Sequence, residues 1–184
     1  MKTNNIIGLR SMAAFAVTCL FILITAGCGG GGERMSNPAQ TVTAAKASSV
    51  SVVTLNAVLN GAQEVPPTIS AASGTATVTI DAARTTINVT MTTQGFATPV
   101  TASHIHFGPV GSNGGVIFSL FAAPGVFPAT LAKNLTSADF SPDTVNGIIT
   151  FADAVNAILN GNTYINVHTQ ANLGGEIRGQ LVLQ

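Results

Sequence analysis

The chain has 184 residues, of which 46% are hydrophobic and only 8% are charged, and its formal net charge at pH 7 is zero. With no basic patch, nucleic acid and anionic lipid surfaces are poor partners for this protein. The few charged residues and the three histidines are therefore the first candidates for chemistry.

Residues 1–28 predict a lipoprotein signal peptide, with a positively charged start and an uncharged apolar run over residues 12–25. A run of that length fits a signal-peptide core, because a membrane span needs about 20 apolar residues. The tripeptide at 25–27 resembles a bacterial lipobox, and this resemblance implies that Cys28 becomes the acylated first residue of the mature chain. The alternative is an ordinary secretory signal in which Cys28 has no role.

The cysteine count favours acylation. The chain has two cysteines, and Cys19 lies in the apolar core that would be removed, so one thiol remains. A lone free thiol is unusual in an exported protein, and acylation of Cys28 accounts for it. Residues 29–50 are rich in glycine and small polar residues and predict a flexible tether. The expected location is the cell envelope. No aspartate follows Cys28, and the resemblance to bacterial sorting signals favours the outer membrane.

The remaining residues, 51–184, predict one domain of common size. Its sequence alternates apolar and polar residues, so successive side chains face opposite sides of a strand. The predicted strands are 52–59, 74–81, 85–93, 101–107, 116–121, 163–169 and 176–183. Residues 150–159 instead have helical spacing, with Thr150 as a cap and Asp153 as its capping partner. This pattern predicts an all-β fold, an antiparallel β-sandwich or barrel with one short helix near 150–160.

His104 and His106 are two residues apart on a predicted strand, so both rings project from the same face. His168 lies on a later strand. Three converging imidazoles would form a plausible site for copper or zinc. The alternative is a structural role, in which each ring joins loops through hydrogen bonds. The spacing alone leaves both interpretations open.

Arg178 is the obvious partner for a buried carboxylate, because its planar guanidinium can hold one bidentately. We therefore predict a structural clamp in which Arg178 pairs with Glu64 or Glu176. No nucleophile motif accompanies these residues, since the predicted domain has no cysteine and no Gly-x-Ser-x-Gly sequence. The sequence thus predicts no enzyme.

Three segments together resemble the chordin-type (CHRD) domain over residues 53–183. They are 59–67 (LNGAQEVPP), 104–108 (HIHFG) and 164–181 (YINVHTQANLGGEIRGQL), and they occur in family order. One departure is Asn172-Leu173, where many members have a proline. The His-x-His segment and its glycine turn are also similar to the copper-binding strand of Cu/Zn superoxide dismutases, which are β-sandwiches. Because a matching fourth copper ligand, a zinc subsite and a disulfide are missing, dismutase activity is not expected.

Bacterial members of the family are exported single-domain proteins, so the resemblance implies export. No catalytic activity defines the family. We expect a non-enzymatic binding module outside the cytoplasm, held at the membrane by its lipid and able to bind a protein ligand. A copper- or zinc-binding protein is the second hypothesis, and a structural component of the envelope is the third.

Overall fold

The computed structural model describes residues 51–184. The predicted signal peptide (1–28), the lipidation site Cys28 and the tether (29–50) lie outside the described residues. Within 51–184, no helix combines the length and the apolar character that a membrane crossing requires.

The described chain forms nine strands and one α-helix. The strands are β1 (Val53–Asn60), β2 (Ser73–Ile80), β3 (Ile87–Gln94), β4 (Val100–Phe107), β5 (Val116–Ala122), β6 (Thr130–Leu135), β7 (Thr163–Thr169), β8 (Ile177–Gln180) and β9 (Val182–Leu183). The helix α1 spans Phe151–Leu159, and short 3-10 helices span Gly61–Gln63, Ser137–Asp139 and Thr144–Asn146.

The strands join in one sheet with the order β5-β4-β7-β8-β1-β2-β3-β6, and β9 pairs with β1. Every pairing is antiparallel. The sheet curves into a nearly closed barrel, which confirms the predicted all-β class. In the strand order, β8 lies between β7 and β1, so the first strand of the described residues is a neighbour of one of the last.

The core follows from the period-two pattern. In β3 the apolar residues Ile87, Val89 and Met91 are buried and the residues between them are exposed. The same alternation in β1 and β2 lines up their apolar faces, because Leu55 pairs with Val78 and Ala57 with Ala76. Burying one face of each strand in this way supplies the main driving force for the fold.

Helix α1 begins as the sequence predicts. The Thr150 side chain accepts a hydrogen bond from the backbone N–H of Asp153, and the Asp153 carboxylate accepts one from the Thr150 backbone. This capping box satisfies two of the free N–H groups at the helix start. Ala154, Val155 and Ile158 are buried, so the helix packs its apolar side against the domain.

Two elements differ from the expectation. The sequence pattern predicted no strand between 121 and 163, and the structure places β6 there, paired with β3 along the whole length of β6. The predicted last strand is divided at Leu181, which is fully buried. Before this residue β8 pairs with β7, and after it β9 pairs with β1.

Candidate metal centre

The register of β4, β7 and β8 places several polar side chains of these three strands on one face. Residues directly opposite each other in an antiparallel pair project from the same side. His104 lies opposite Asn166, and Asn166 lies opposite Arg178. The full set on this face is His104, His106, Tyr164, Asn166, His168, Arg178 and Gln180.

The intervening residues of the same strands belong to the hydrophobic core. Ile105, Ile165, Val167 and Ile177 have no exposed surface. Because the alternate positions are fixed in the core, the strands cannot slip by one residue without exposing them. The core thus determines that the three histidines face the opposite side.

The three histidines converge. One ring nitrogen from each of His104, His106 and His168 lies within 4.8 Å of the others. The closest contact joins His104 Nδ1 and His168 Nε2 at 3.1 Å. The structure therefore brings together all three residues that the sequence proposed as metal ligands.

Backbone carbonyls orient two of the rings. His106 Nδ1 lies 3.0 Å from the carbonyl oxygen of Gly114, and His168 Nδ1 lies 2.9 Å from that of Leu173. A carbonyl only accepts hydrogen bonds, so both Nδ1 atoms carry the proton and both Nε2 atoms keep a lone pair, which in His168 faces His104 Nδ1. His104 Nδ1 then donates to His168 Nε2. Metal-binding histidines commonly have this kind of supporting hydrogen bond.

The loop after β4 needs glycine to reach His106. A Cβ atom at Gly114 would lie 1.8 Å from the carbonyl oxygen of Phe107. Only a residue without a side chain lets the loop approach this closely. Gly114 thereby places its own carbonyl against the His106 ring.

Burial keeps the rings neutral. Desolvation, together with the charges that His168 and His106 would carry, lowers the pKa of His104 to about 4. Desolvation also lowers the pKa of His106 and of His168, although hydrogen bonds to Gly114 and Leu173 partly oppose it. Neutral imidazole is the form that binds metal.

Asn166 is a member of this face to which the sequence analysis gave no role. Its side chain is 3% exposed, and its Oδ1 has no hydrogen-bond partner among the described residues. Asn166 lies close enough to His106 to raise the pKa of that ring, although no hydrogen bond joins the two side chains in this geometry. Asn166 lies in the CHRD-like segment 164–181, but only the register of β4 against β7 shows that it lies opposite His104.

Tyr164 connects the histidines to Arg178. Its ring is stacked on His106 with centroids 4.9 Å apart and planes 4° apart. The Arg178 guanidinium carbon lies 3.4 Å from the centroid of the same ring. Such a cation–π contact stabilises a buried arginine, and Arg178 is 1% exposed.

The contacts of Arg178 differ from those expected of the clamp. It donates to the carbonyl oxygen of Ser112 at 2.8 Å and to Asn113 Oδ1 at 3.2 Å. Glu176 instead accepts hydrogen bonds from Ser70 and Thr169. Within the described chain, Arg178 therefore fastens the loop after β4, and its donors go to that loop rather than to a carboxylate. Whether the clamp residues stabilise the fold stays a prediction.

Glu64 lies close enough to Arg178 for the guanidinium charge to affect the pKa of its carboxyl group. Burial raises the pKa of Glu64 to about 7, and the positive charge of Arg178 opposes this rise. Its Oε1 atom has no hydrogen-bond partner among the described residues. Gly175 permits this placement, since a Cβ there would lie 2.5 Å from Glu64 Oε1. Glu64 also lines a cavity of about 360 Å³ with Arg178 and Gln180.

These features define a small all-β domain with three histidines gathered on its polar face. The family model described as the CHRD domain matches residues 55–181. The chain belongs to the CHRD domain family, which confirms the resemblance seen in the sequence. The comparison with curated proteins found no matching sequence.

Proposed function

We propose that this protein is a non-enzymatic binding module whose ligand is a copper or zinc ion held by His104, His106 and His168. The observation that carries the proposal is the convergence of three ring nitrogens within 4.8 Å of one another. Zinc–nitrogen bonds are about 2.0–2.1 Å long, so a tetrahedral ion would hold its ligand atoms about 3.4 Å apart. Small side-chain movements suffice to reach that geometry.

The hydrogen bonds of the rings support metal binding over a purely structural role. A structural histidine buried in a fold normally satisfies both nitrogens. His106 is 8% exposed, yet its Nε2 atom has no partner among residues 51–184. Its lone pair is therefore available to an ion. Binding through His104 Nδ1 requires the proton on that atom to move to Nε2, which exchanges the two neutral tautomers.

The donor set favours copper or zinc. Imidazole nitrogen suits both metals, whereas magnesium and calcium prefer oxygen ligands. The cluster contains no carboxylate and no thiolate. At equal availability, divalent copper should bind more tightly than zinc, as it does in most nitrogen sites.

Metal titration tests this proposal. Purified apo-protein is titrated with Cu(II) and, separately, with Zn(II), and bound metal is measured after gel filtration. We expect about one ion per chain for the wild type, and a loss of affinity of at least about 100-fold for His106→Ala, because a ligand is removed. Thr90→Ala, an exposed change on β3, is the matched control. Absence of stoichiometric binding in the wild type, or equal binding in His106→Ala, would contradict the proposal.

The proposed setting is the cell envelope, with the mature chain attached through lipid on Cys28. The apolar run before Cys28 and the lipobox-like tripeptide support this part of the proposal. Stable attachment requires more than one acyl chain. Metabolic labelling with a fatty acid should mark the wild type and leave Cys28→Ser unmarked. Cys28→Ser that still fractionates with outer membranes would contradict lipid anchoring.

A further inference from the structure

Asn166 is a neighbour of all three histidines on this face of the sheet. It is directly opposite His104 on β4, and His106 lies diagonally across the same strand pair. His168 is two residues further along β7, so its side chain projects from the same face. Neighbours of these kinds lie about 4.5–8 Å apart at Cβ, within reach of a common ion.

Three buried atoms on this face have no partner among the described residues; one is Gln180 Oε1 on β8, and the other two lie on the β4–β7 strand pair that carries the histidines. Asn166 Oδ1 and His106 Nε2 both lack a hydrogen bond among the described residues. The proton on His106 Nδ1 is directed to the Gly114 carbonyl, so both unpartnered atoms present lone pairs. Two buried lone pairs without a donor are unfavourable, because each has lost its hydrogen bonds to water and has formed none within the protein. A cation between them removes this cost for both.

We propose that Asn166 Oδ1 is a fourth ligand, which completes a site of three imidazole nitrogens and one amide oxygen. This inference rests on the proposed metal binding by the histidines. Four ligands from the protein fill the coordination of tetrahedral zinc and leave no open position of the kind that catalytic zinc sites keep. In copper, the amide oxygen serves as the weak ligand that accompanies three stronger ones. The closed site accounts for a domain that binds metal without catalysis.

The opposite orientation of the amide gives a different prediction. If the Asn166 amide were rotated by 180°, its NH₂ group would donate to His106 Nε2 and compete with the metal. Removing the side chain would then raise the affinity for metal. Replacement of Asn166 therefore distinguishes a ligand from a competitor by the sign of the change.

The test compares Asn166→Ala and Asn166→Asp with the wild type, using Zn(II) titration and Cu(II) spectroscopy. We expect Asn166→Ala to bind zinc about 10–100-fold more weakly. Asn166→Asp should restore binding to at least the wild-type level, because its carboxylate keeps an oxygen in the same place. Azide added to the Cu(II) protein should produce a stronger charge-transfer band in Asn166→Ala, where the position is open, than in the wild type, where azide competes with the amide oxygen.

The outcomes separate this inference from the proposed function. If the wild type binds neither ion, both the proposed metal site and the proposed fourth ligand are contradicted. Wild-type binding with unchanged or higher affinity in Asn166→Ala overturns the fourth ligand alone, as does an azide band of equal strength in the wild type. Thermal unfolding of the metal-free variants checks the fold. Asn166→Ala should melt within a few degrees of the wild type, since Asn166 Oδ1 makes no hydrogen bond to any of residues 51–184.

Discussion

The pH dependence of stability should reveal Glu64 as a buried carboxyl group that is protonated near neutral pH. Burial raises its pKa from 4.5 to about 7, against the opposing charge of Arg178. The folded protein then holds the proton more tightly than the unfolded chain. This contribution to stability is fully present below pH 4.5 and is lost as the pH rises through 7.

The magnitude follows from the difference between the two pKa values. One pKa unit corresponds to about 1.4 kcal/mol, so the full change from 4.5 to about 7 amounts to about 3 kcal/mol. Because Glu64 lines a cavity, solvent screening should reduce this effect, and we expect about 1–3 kcal/mol. Glu64→Gln keeps the shape of the side chain and removes the titration. Its free energy of unfolding should therefore lack this loss between pH 4.5 and 7.5.

Urea denaturation of the metal-free domain at pH 4.5, 6 and 7.5 measures the effect. Glu176→Gln is the matched control, because hydrogen bonds from Thr169 and Ser70 outweigh burial and lower the pKa of Glu176. Its contribution is lost only as the pH falls below 4.5, so it should follow the wild type across this range. Histidine titration affects all three proteins alike and cancels in the comparison. Equal pH profiles for Glu64→Gln and the wild type would refute the reasoning.

Three further substitutions test the fold around the site. Arg178→Met should lower the free energy of unfolding by about 1–3 kcal/mol in urea denaturation, because it leaves the carbonyl oxygen of Ser112 in the loop after β4 without this donor; an unchanged free energy of unfolding would contradict the stabilising role of Arg178. Gly175→Ala should lower the melting temperature, since its Cβ would lie 2.5 Å from Glu64 Oε1 at a φ of +131°; a wild-type melting curve would show that the loop relaxes freely. Thr150→Ala should cost about 1 kcal/mol through loss of the α1 cap, measured by the same denaturation; Thr150→Ser, which keeps the hydroxyl, should retain most of it.

Local periodicity was enough to predict most strands. The Thr-rich alternation over 85–93 predicts β3 because one face is buried and the other is solvated. β6 was missed because it is short and follows a segment with Pro124, Gly125 and Pro128, which is typical of a loop. Its pairing with β3 supplies hydrogen bonds that no local pattern reveals.

The candidate site was predictable in part. The spacing of His104 and His106 fixes them on one face of a strand, which needs only the pleat. The position of His168 beside them depends on the register between β4 and β7, which the sequence alone does not specify. The partners of Arg178 depend on the path of the loop after β4. Loop paths are set by tertiary contacts, so the carboxylate pairing expected from charge alone was replaced by carbonyl contacts.

X-ray absorption spectroscopy of the zinc-loaded protein counts the ligands around the ion and so tests the three-histidine site. We expect a four-coordinate zinc with three imidazole ligands and one oxygen at about 2.0–2.1 Å. His168→Ala should lower the imidazole count to two. A spectrum of six oxygen ligands, or an imidazole count that does not change in His168→Ala, would contradict the three-histidine site.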